Sequence, residues 1–214
     1  MSEKKRIASY DIETVGRPLS NEVINELCKT GNLKDPAKIE AKQLEFRSKL
    51  GIDPLTAMAC CGGYYESEEN CGYIMLADES PEAEKEFLIK YWEKLSEFDI
   101  LIGFNCISFD SKILTIRAAV HGIDIPFKFD RKRYSSAGNH IDIRMVLQDW
   151  NTFEAGRLSF FLEMFGLEGK TEGIDGSQVQ DYFNAGLHQD IGEYCQRDCK
   201  LTMQLFNKIK RYFL

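Results

Sequence analysis

The sequence predicts an α/β fold, a sheet flanked by helices, and three observations carry that reading. A strand-like run enters "ASYDIETVG" at residues 8 to 16, two further strand-like stretches follow a polar interval, and helical and strand patterns then take turns. Strands that alternate with helices are the signature of an α/β sheet.

The first strand spans Lys5 to Ile12, with Ile7, Ser9, Asp11 and Glu13 on one face and Ala8, Tyr10 and Ile12 on the other. Residues 17 to 54 are polar and charged and look like a helical insertion. Within them "DPAKIEAKQLEFRSKLG" starts at an Asp-Pro pair, repeats apolar residues at helical spacing and stops at Gly51. "PLTAMACCGGYY" and "NCGYIML" are two strands joined by the acidic turn "ESEE". In "SPEAEKEFLIKYWEKLSEF", Ser80 is the N-cap, Pro81 opens the helix, and Phe87, Tyr91 and Leu95 share its apolar face. "DILIGFN" is a short buried strand, and "FDSKILTIRAAVHG" a helix closed by Gly122. Residues 123 to 139 read as a loop carrying Lys128, Arg131, Lys132 and Arg133. "HIDIRMVL" is a strand or strand-to-helix edge, "RLSFFLEMFG" a short helix, and the stretch from His188 a long terminal helix.

At 214 residues the chain is long enough for one domain with a sizeable core, so a single domain over residues 1–214 is expected. The 43% hydrophobic and 29% charged fractions are those of ordinary globular proteins and exclude disordered and fibrous classes. No apolar run approaches the ~20 residues of a membrane span. "MSEKKRI" leads into a strand and not a signal core, which makes the cytoplasm the default location. Seven cysteines without a C-x-x-C pair argue against a disulfide framework and a zinc ribbon; buried, reduced thiols are expected. A net charge of −7 does not suit a protein that coats nucleic acid electrostatically, yet it is compatible with a nuclease that gathers carboxylates around metal.

Asp11 and Glu13 stand two apart on a strand and therefore project side by side. With 34 acidic residues, chance alone supplies roughly five acidic pairs at that spacing, so context must carry any claim. A second acid, Asp110, follows the buried strand in "LIGFNCISFD", where α/β sheets place their sites; helix N-terminal charge is the plainer role for it. On the last helix, in "EYCQRDCKLT", Tyr194 and Asp198 share a face that Leu201 and Leu205 continue as an apolar stripe. The polar end of the helix would then sit over the sheet beside Asp11 and Glu13, although taken alone the pair reads more plainly as a core tyrosine and a surface aspartate on a solvated helix.

D-x-E, then N-x-x-x-F-D, then Y-x-x-x-D, in that order, resemble the three motifs of the DnaQ-like (DEDD) 3'-5' exonuclease superfamily. The tyrosine form of the third motif is similar to the DEDDy branch, and "GSQVQDYFNAG" with "IGEYCQRD" resembles stand-alone exonucleases like the proofreading domain of family B DNA polymerases. The likeness runs from Arg6 to about Phe206 and is weakest over residues 17 to 54 and the basic loop. It implies a ribonuclease H-like fold with a central mixed sheet.

The resemblance also implies a two-metal hydrolysis that releases nucleoside 5'-monophosphates from single-stranded or frayed DNA 3' ends. Asp11 would bridge two Mg2+ or Mn2+ ions, Glu13 and Asp198 would complete the water-activating site, and Asp110 would hold the second ion. Hard oxygen donors suit those ions and not zinc. Tyr194 would orient the attacking water. Asn105 either contacts the terminal nucleotide or caps the following helix. Phe109 is a core residue within the substrate-binding motif, and Arg131 and Lys132 are candidate phosphate guides. Trp92 and Trp150 are expected to pack and not to stack on bases. With no polymerase domain alongside, proofreading would act in trans, and replication or repair partners are conceivable. Two rivals are a catalytically silent binding module and an RNA-trimming enzyme of the same superfamily; the metal site does not distinguish sugars.

Overall fold

The computed structural model describes residues 5–130, 138–151, 156–169 and 173–213. Five strands form one sheet, β1 (Ile7–Gly16), β2 (Ala57–Ser67), β3 (Asn70–Met75), β4 (Ile100–Gly103) and β5 (His140–Asp142), in the spatial order β3-β2-β1-β4-β5. β1 runs antiparallel to β2 and parallel to β4, and β4 is parallel to β5, so the sheet is mixed. The helices are α1 (Asn21–Leu27), α2 (Pro36–Ser48), α3 (Pro81–Leu95), α4 (Asp110–His121), α5 (Ile143–Leu147), α6 (Leu158–Met164), α7 (Val179–Asn184) and α8 (His188–Phe213).

Local chemistry explains the best-defined elements. Ser80 Oγ accepts the Ala83 N–H at 3.2 Å, and Pro81 follows at the first helical position, where its missing donor costs nothing. Phe87, Leu88, Tyr91, Trp92 and Leu95 then form one buried stripe along α3. Each such side chain contributes about 1.5–3 kcal/mol through burial. α8 buries Ile191, Tyr194, Cys195, Asp198, Leu201, Leu205, Phe206 and Ile209 on one side, at the spacing of a single helix face.

α3 and α8 cover opposite faces of the sheet, and two adjacent glycines of β2 let them in. A Cβ on Gly62 would stand 2.6 Å from the Tyr91 ring of α3. On Gly63 it would stand 2.9 Å from Cys195 Sγ and 3.1 Å from the Cys195 backbone of α8. Neighbouring strand residues face opposite ways, so each glycine admits one helix. The Tyr91 hydroxyl reaches through to the Gly63 and Asp11 carbonyls, at 2.7 and 3.0 Å, and ties α3 to both central strands.

The interval between β1 and β2 departs from its expected pattern. Asp35 caps α2 by accepting the Ala37 N–H, as the Asp-Pro start predicts, but α2 buries no residue. Its Ile39, Gln43 and Phe46 stripe is only half-buried, and Leu44 is exposed. Instead, Ile24, Cys28 and Leu50 make a small separate core with Leu19 and Phe46 beside the end of β1. Helices α1 and α7 were not anticipated by the periodicity. The first strand also runs four residues further than expected, to Gly16, and the "HIDIRMVL" edge resolves into β5 followed at once by α5.

Candidate active site

β1 outruns β4, and that overhang makes the site. The last β1–β4 pair is Ser9 with Ile102, after which the chain leaves the sheet at Gly103. Ile12 lies beyond that pair, and its N–H is taken at 2.9 Å by Asp110 Oδ1, the first residue of α4. The first and second acidic motifs are thus joined by a direct hydrogen bond. A bulge where β1 and β2 shift register, between Glu13 and Thr14, turns the strand just past Glu13. On the other side Ser9 Oγ lies 2.6 Å from the Cys199 carbonyl and anchors α8 on β1. One turn before Cys199 on that helix is Cys195, whose Sγ is 3.5 Å from the Asp11 carbonyl oxygen.

These placements bring Asp11, Glu13, Asp110, Tyr194 and Asp198 together in one cleft of about 490 Å³. Asn105 and Phe109 line it as well, with Phe104, Arg144, Arg157 and Thr202. Glu13, Asp110 and Asp198 are buried and Asp11 partly so. Burial, then the neighbouring Cys195, Asp110, Glu13 and Asp198, push the Asp11 carboxyl well above the usual range. Burial raises Asp110 to about 7 against the opposing hydrogen bond from Ile12. Burial and the charges of Glu13, Asp198 and Asp11 also raise the Tyr194 phenol, whose hydroxyl hydrogen-bonds to Asp198. The cleft is a concentration of negative charge that a cation would relieve. Carboxylate oxygens of Asp11 and Glu13 and the Cys195 thiol lie within 4.8 Å of one another, close enough to share an ion.

The model of a family described as predicted 3'-5' exonucleases related to the exonuclease domain of PolB matches residues 55–212. The chain belongs to that family. Its matched span contains Asn105, Asp110, Tyr194 and Asp198, while Asp11 and Glu13 lie ahead of it. Among solved structures, the family B DNA polymerase of the hyperthermophilic archaeon Pyrobaculum calidifontis is similar, with a TM-score of 0.61 at 16% identity. The match covers 97% of this chain and 25% of the polymerase, so the chain spans a quarter of that protein's length. The likeness establishes the fold, an α/β exonuclease-domain architecture of the ribonuclease H-like type. No curated protein matches the chain.

In this member of the PolB-related exonuclease family, the structure departs from one of the two expectations for Asn105. The N-cap of α4 is Phe109, so Asn105 does not cap it. Asn105 sits at φ +64, and its Oδ1 accepts from Ser108 Oγ at 2.9 Å and from Arg144 at 3.1 Å. Phe109 packs against the core and also borders the cleft. Trp92 is fully buried in the core, as expected, and Trp150 is partly buried. All seven cysteines are free thiols, and six of them are buried. No residue of 17–54 lines the cleft among the described residues. Arg131, Lys132 and Arg133 lie outside the described residues, and no described helix is long and apolar enough to cross a membrane.

The sequence reading passed over Arg144 and Asp142, and it took Cys195 only as one of the buried thiols. Asp142, at the end of β5, accepts the N–H groups of Asn105 (2.9 Å), Ile107 (3.0 Å) and Met145 (3.3 Å). One buried carboxylate therefore holds the second-motif loop and caps α5. Its only signal in the sequence is an Asp following the strand-like "HI" before a helical "IRMVL". Asp142→Ala strips an acceptor from three N–H groups and is expected to cost at least about 2 kcal/mol, with activity falling in parallel. Denaturant midpoints set beside exonuclease rates check this. An unchanged midpoint would show the loop to be held by other contacts.

Proposed function

We propose that this protein is a divalent-metal-dependent 3'-5' exonuclease that hydrolyses single-stranded or frayed DNA from its 3' end and releases nucleoside 5'-monophosphates. The observation that carries the reading is the convergence of Asp11, Glu13, Asp110, Tyr194 and Asp198, from three distant parts of the chain, in one cleft. The donor set fits Mg2+ or Mn2+: four carboxylates in a partly open cleft supply hard oxygen and leave room for water. Asp11, Glu13, Asp110 and Asp198 would hold two such ions. When bound, the ions supply charge neutralisation and a hydroxide at neutral pH.

The chain's own residues supply position. Asp110 keeps its carboxylate in register with β1 through the Ile12 N–H. Tyr194 stays protonated at neutral pH, because its surroundings oppose the phenolate, so it acts as a hydrogen-bond donor that orients water and not as a base. Phe109 borders the cleft where a terminal nucleotide would enter, and Arg131 and Lys132 of the basic loop would guide the phosphate backbone. Ends produced in replication or repair are the fitting substrates.

The test is degradation of 5'-labelled single-stranded DNA and matched RNA in Mg2+, Mn2+ or EDTA. We expect a ladder shortening from the 3' end, stopped by EDTA. Asp11→Ala and Asp198→Ala should each fall by at least the ~10²–10³-fold that loss of one charge-stabilising group costs. A wild-type protein inert on DNA in both metals would overturn the proposal, and faster shortening of RNA would reassign the substrate.

A further inference from the structure

Among the described residues lining the cleft, five are acidic and two are basic, Arg144 and Arg157. A strand entering such a site brings more negative charge, so whatever cation faces it matters to binding. Arg157 is exposed, whereas Arg144 is partly buried and gripped. Arg144 Nη1 donates to Asn105 Oδ1 at 3.1 Å, and Nε donates to Gln148 Oε1 at 3.2 Å. Gln148 is itself buried, one turn further on. The base of the side chain is fixed too, because Arg144 stands two residues after Asp142, whose carboxylate pins both the Asn105 loop and α5. A long flexible side chain pays a large entropy cost on ordering, and here the fold has already met most of it.

We propose that Arg144 binds a backbone phosphate of the 3'-terminal segment of the substrate strand, and that Asn105 and Gln148 are the positioning residues that aim its guanidinium into the cleft. This rests on the exonuclease reading above, and it gives Asn105 a role distinct from direct nucleotide contact. A guanidinium pairs with phosphate through a rigid fork that lysine lacks, so the two are not interchangeable here.

The experiment has two arms. In the first, cleavage of a DNA oligonucleotide in Mg2+ is measured for wild type, Arg144→Ala and Arg144→Lys, with a neutral methylphosphonate placed in turn at each of the three 3'-terminal linkages. Arg144→Ala should raise KM about 10- to 100-fold, more than it lowers kcat. At one linkage the methylphosphonate should weaken wild type but cost Arg144→Ala nothing further. A solely structural role for Arg144 would leave every linkage equally costly to both proteins, and that result, or an unchanged KM, overturns the inference.

In the second arm, binding of fluorescein-labelled dT12 is followed by anisotropy in Ca2+ across a salt series. Arg144→Ala should bind more weakly, with a log–log salt slope shallower by about 0.7. If wild type cuts no DNA but this loss persists, the exonuclease reading fails and the Arg144 assignment stands. If dT12 binds wild type and variant alike, or neither, the assignment fails whatever the cleavage assay shows.

Discussion

Asp110→Asn is expected to make the metal-free protein more stable at pH 8 while abolishing its cleavage activity. The Asp110 carboxyl is raised from 3.8 to about 7 in the fold. Between those values the folded chain keeps a proton that the unfolded chain has released, so stability falls as pH rises from about 4 to about 7. That difference corresponds to at most roughly 4 kcal/mol. Asparagine has no charge to bury, and its Oδ1 can still accept the Ile12 N–H. In EDTA at pH 8 the variant should melt roughly 5 °C or more above wild type, and the two should converge only as the pH falls to about 4. Mg2+ should raise the wild-type melting temperature more than the variant's, because the cation offsets the same charge. Activity should drop at least ~10²-fold. Thermal melts from pH 4 to 8, with and without EDTA, decide it. A wild-type protein that gains stability with rising pH, or a variant no more stable at pH 8, would contradict the expectation.

Arg117→Ala should cause the largest loss of stability. Arg117 and Glu84 are each about 2% exposed. Arg117 Nε donates to Glu84 Oε1 at 2.6 Å, Nη2 pairs with Oε2, and His121 Nε2 lies 2.8 Å from the same oxygen. Burial alone would push the Glu84 carboxyl up, but these bonds outweigh it and leave the group below its ordinary value. Removing Arg117 strands a buried carboxylate, and breaking such pairs costs about 3–5 kcal/mol. The melting temperature should fall by roughly 10 °C, most strongly at pH 8, where Glu84 is charged. Glu84→Met combined with Arg117→Met should recover much of the loss, since the charge is then gone from both sides. Melts of the single and double variants measure this. Because Asp110 opens the helix that carries Arg117, the single variant should also lose activity.

Much of this architecture could be read from local chemistry. Ser80 followed by Pro81, the glycine after α4 and the long apolar stripe of α8 are signals carried within a few residues. α7 is different. It is six residues long and is held by burial of Val179 and Phe183 and by Gln180 Oε1, which accepts the Gly16 N–H from 164 residues away. α1 likewise depends on the small core around Ile24. The carboxylates and Tyr194 were legible because each motif is short and their order along the chain resembles a known set. Asp142 and Arg144 were not, because their partners stand 35 to 39 residues away in sequence. Cys195 meets Asp11 across 184 residues, and no local pattern announces that contact.

The glycine opposite Asp11 in the sheet has a bearing on how such chains are recognised. Gly63 pairs across the strands with Asp11 and leaves the room that Cys195 fills. A methyl group there would lift the last helix away from the strand by a few tenths of an ångström, carrying Tyr194 and Asp198 with it while Asp11 and Glu13 stayed behind. A relative with alanine at this position would keep every letter of the three motifs while the carboxylates of its last helix stood a few tenths of an ångström off those of the strand. Counting acidic residues would score that chain as intact. An absent side chain on the neighbouring strand belongs to the signature as much as the carboxylates do.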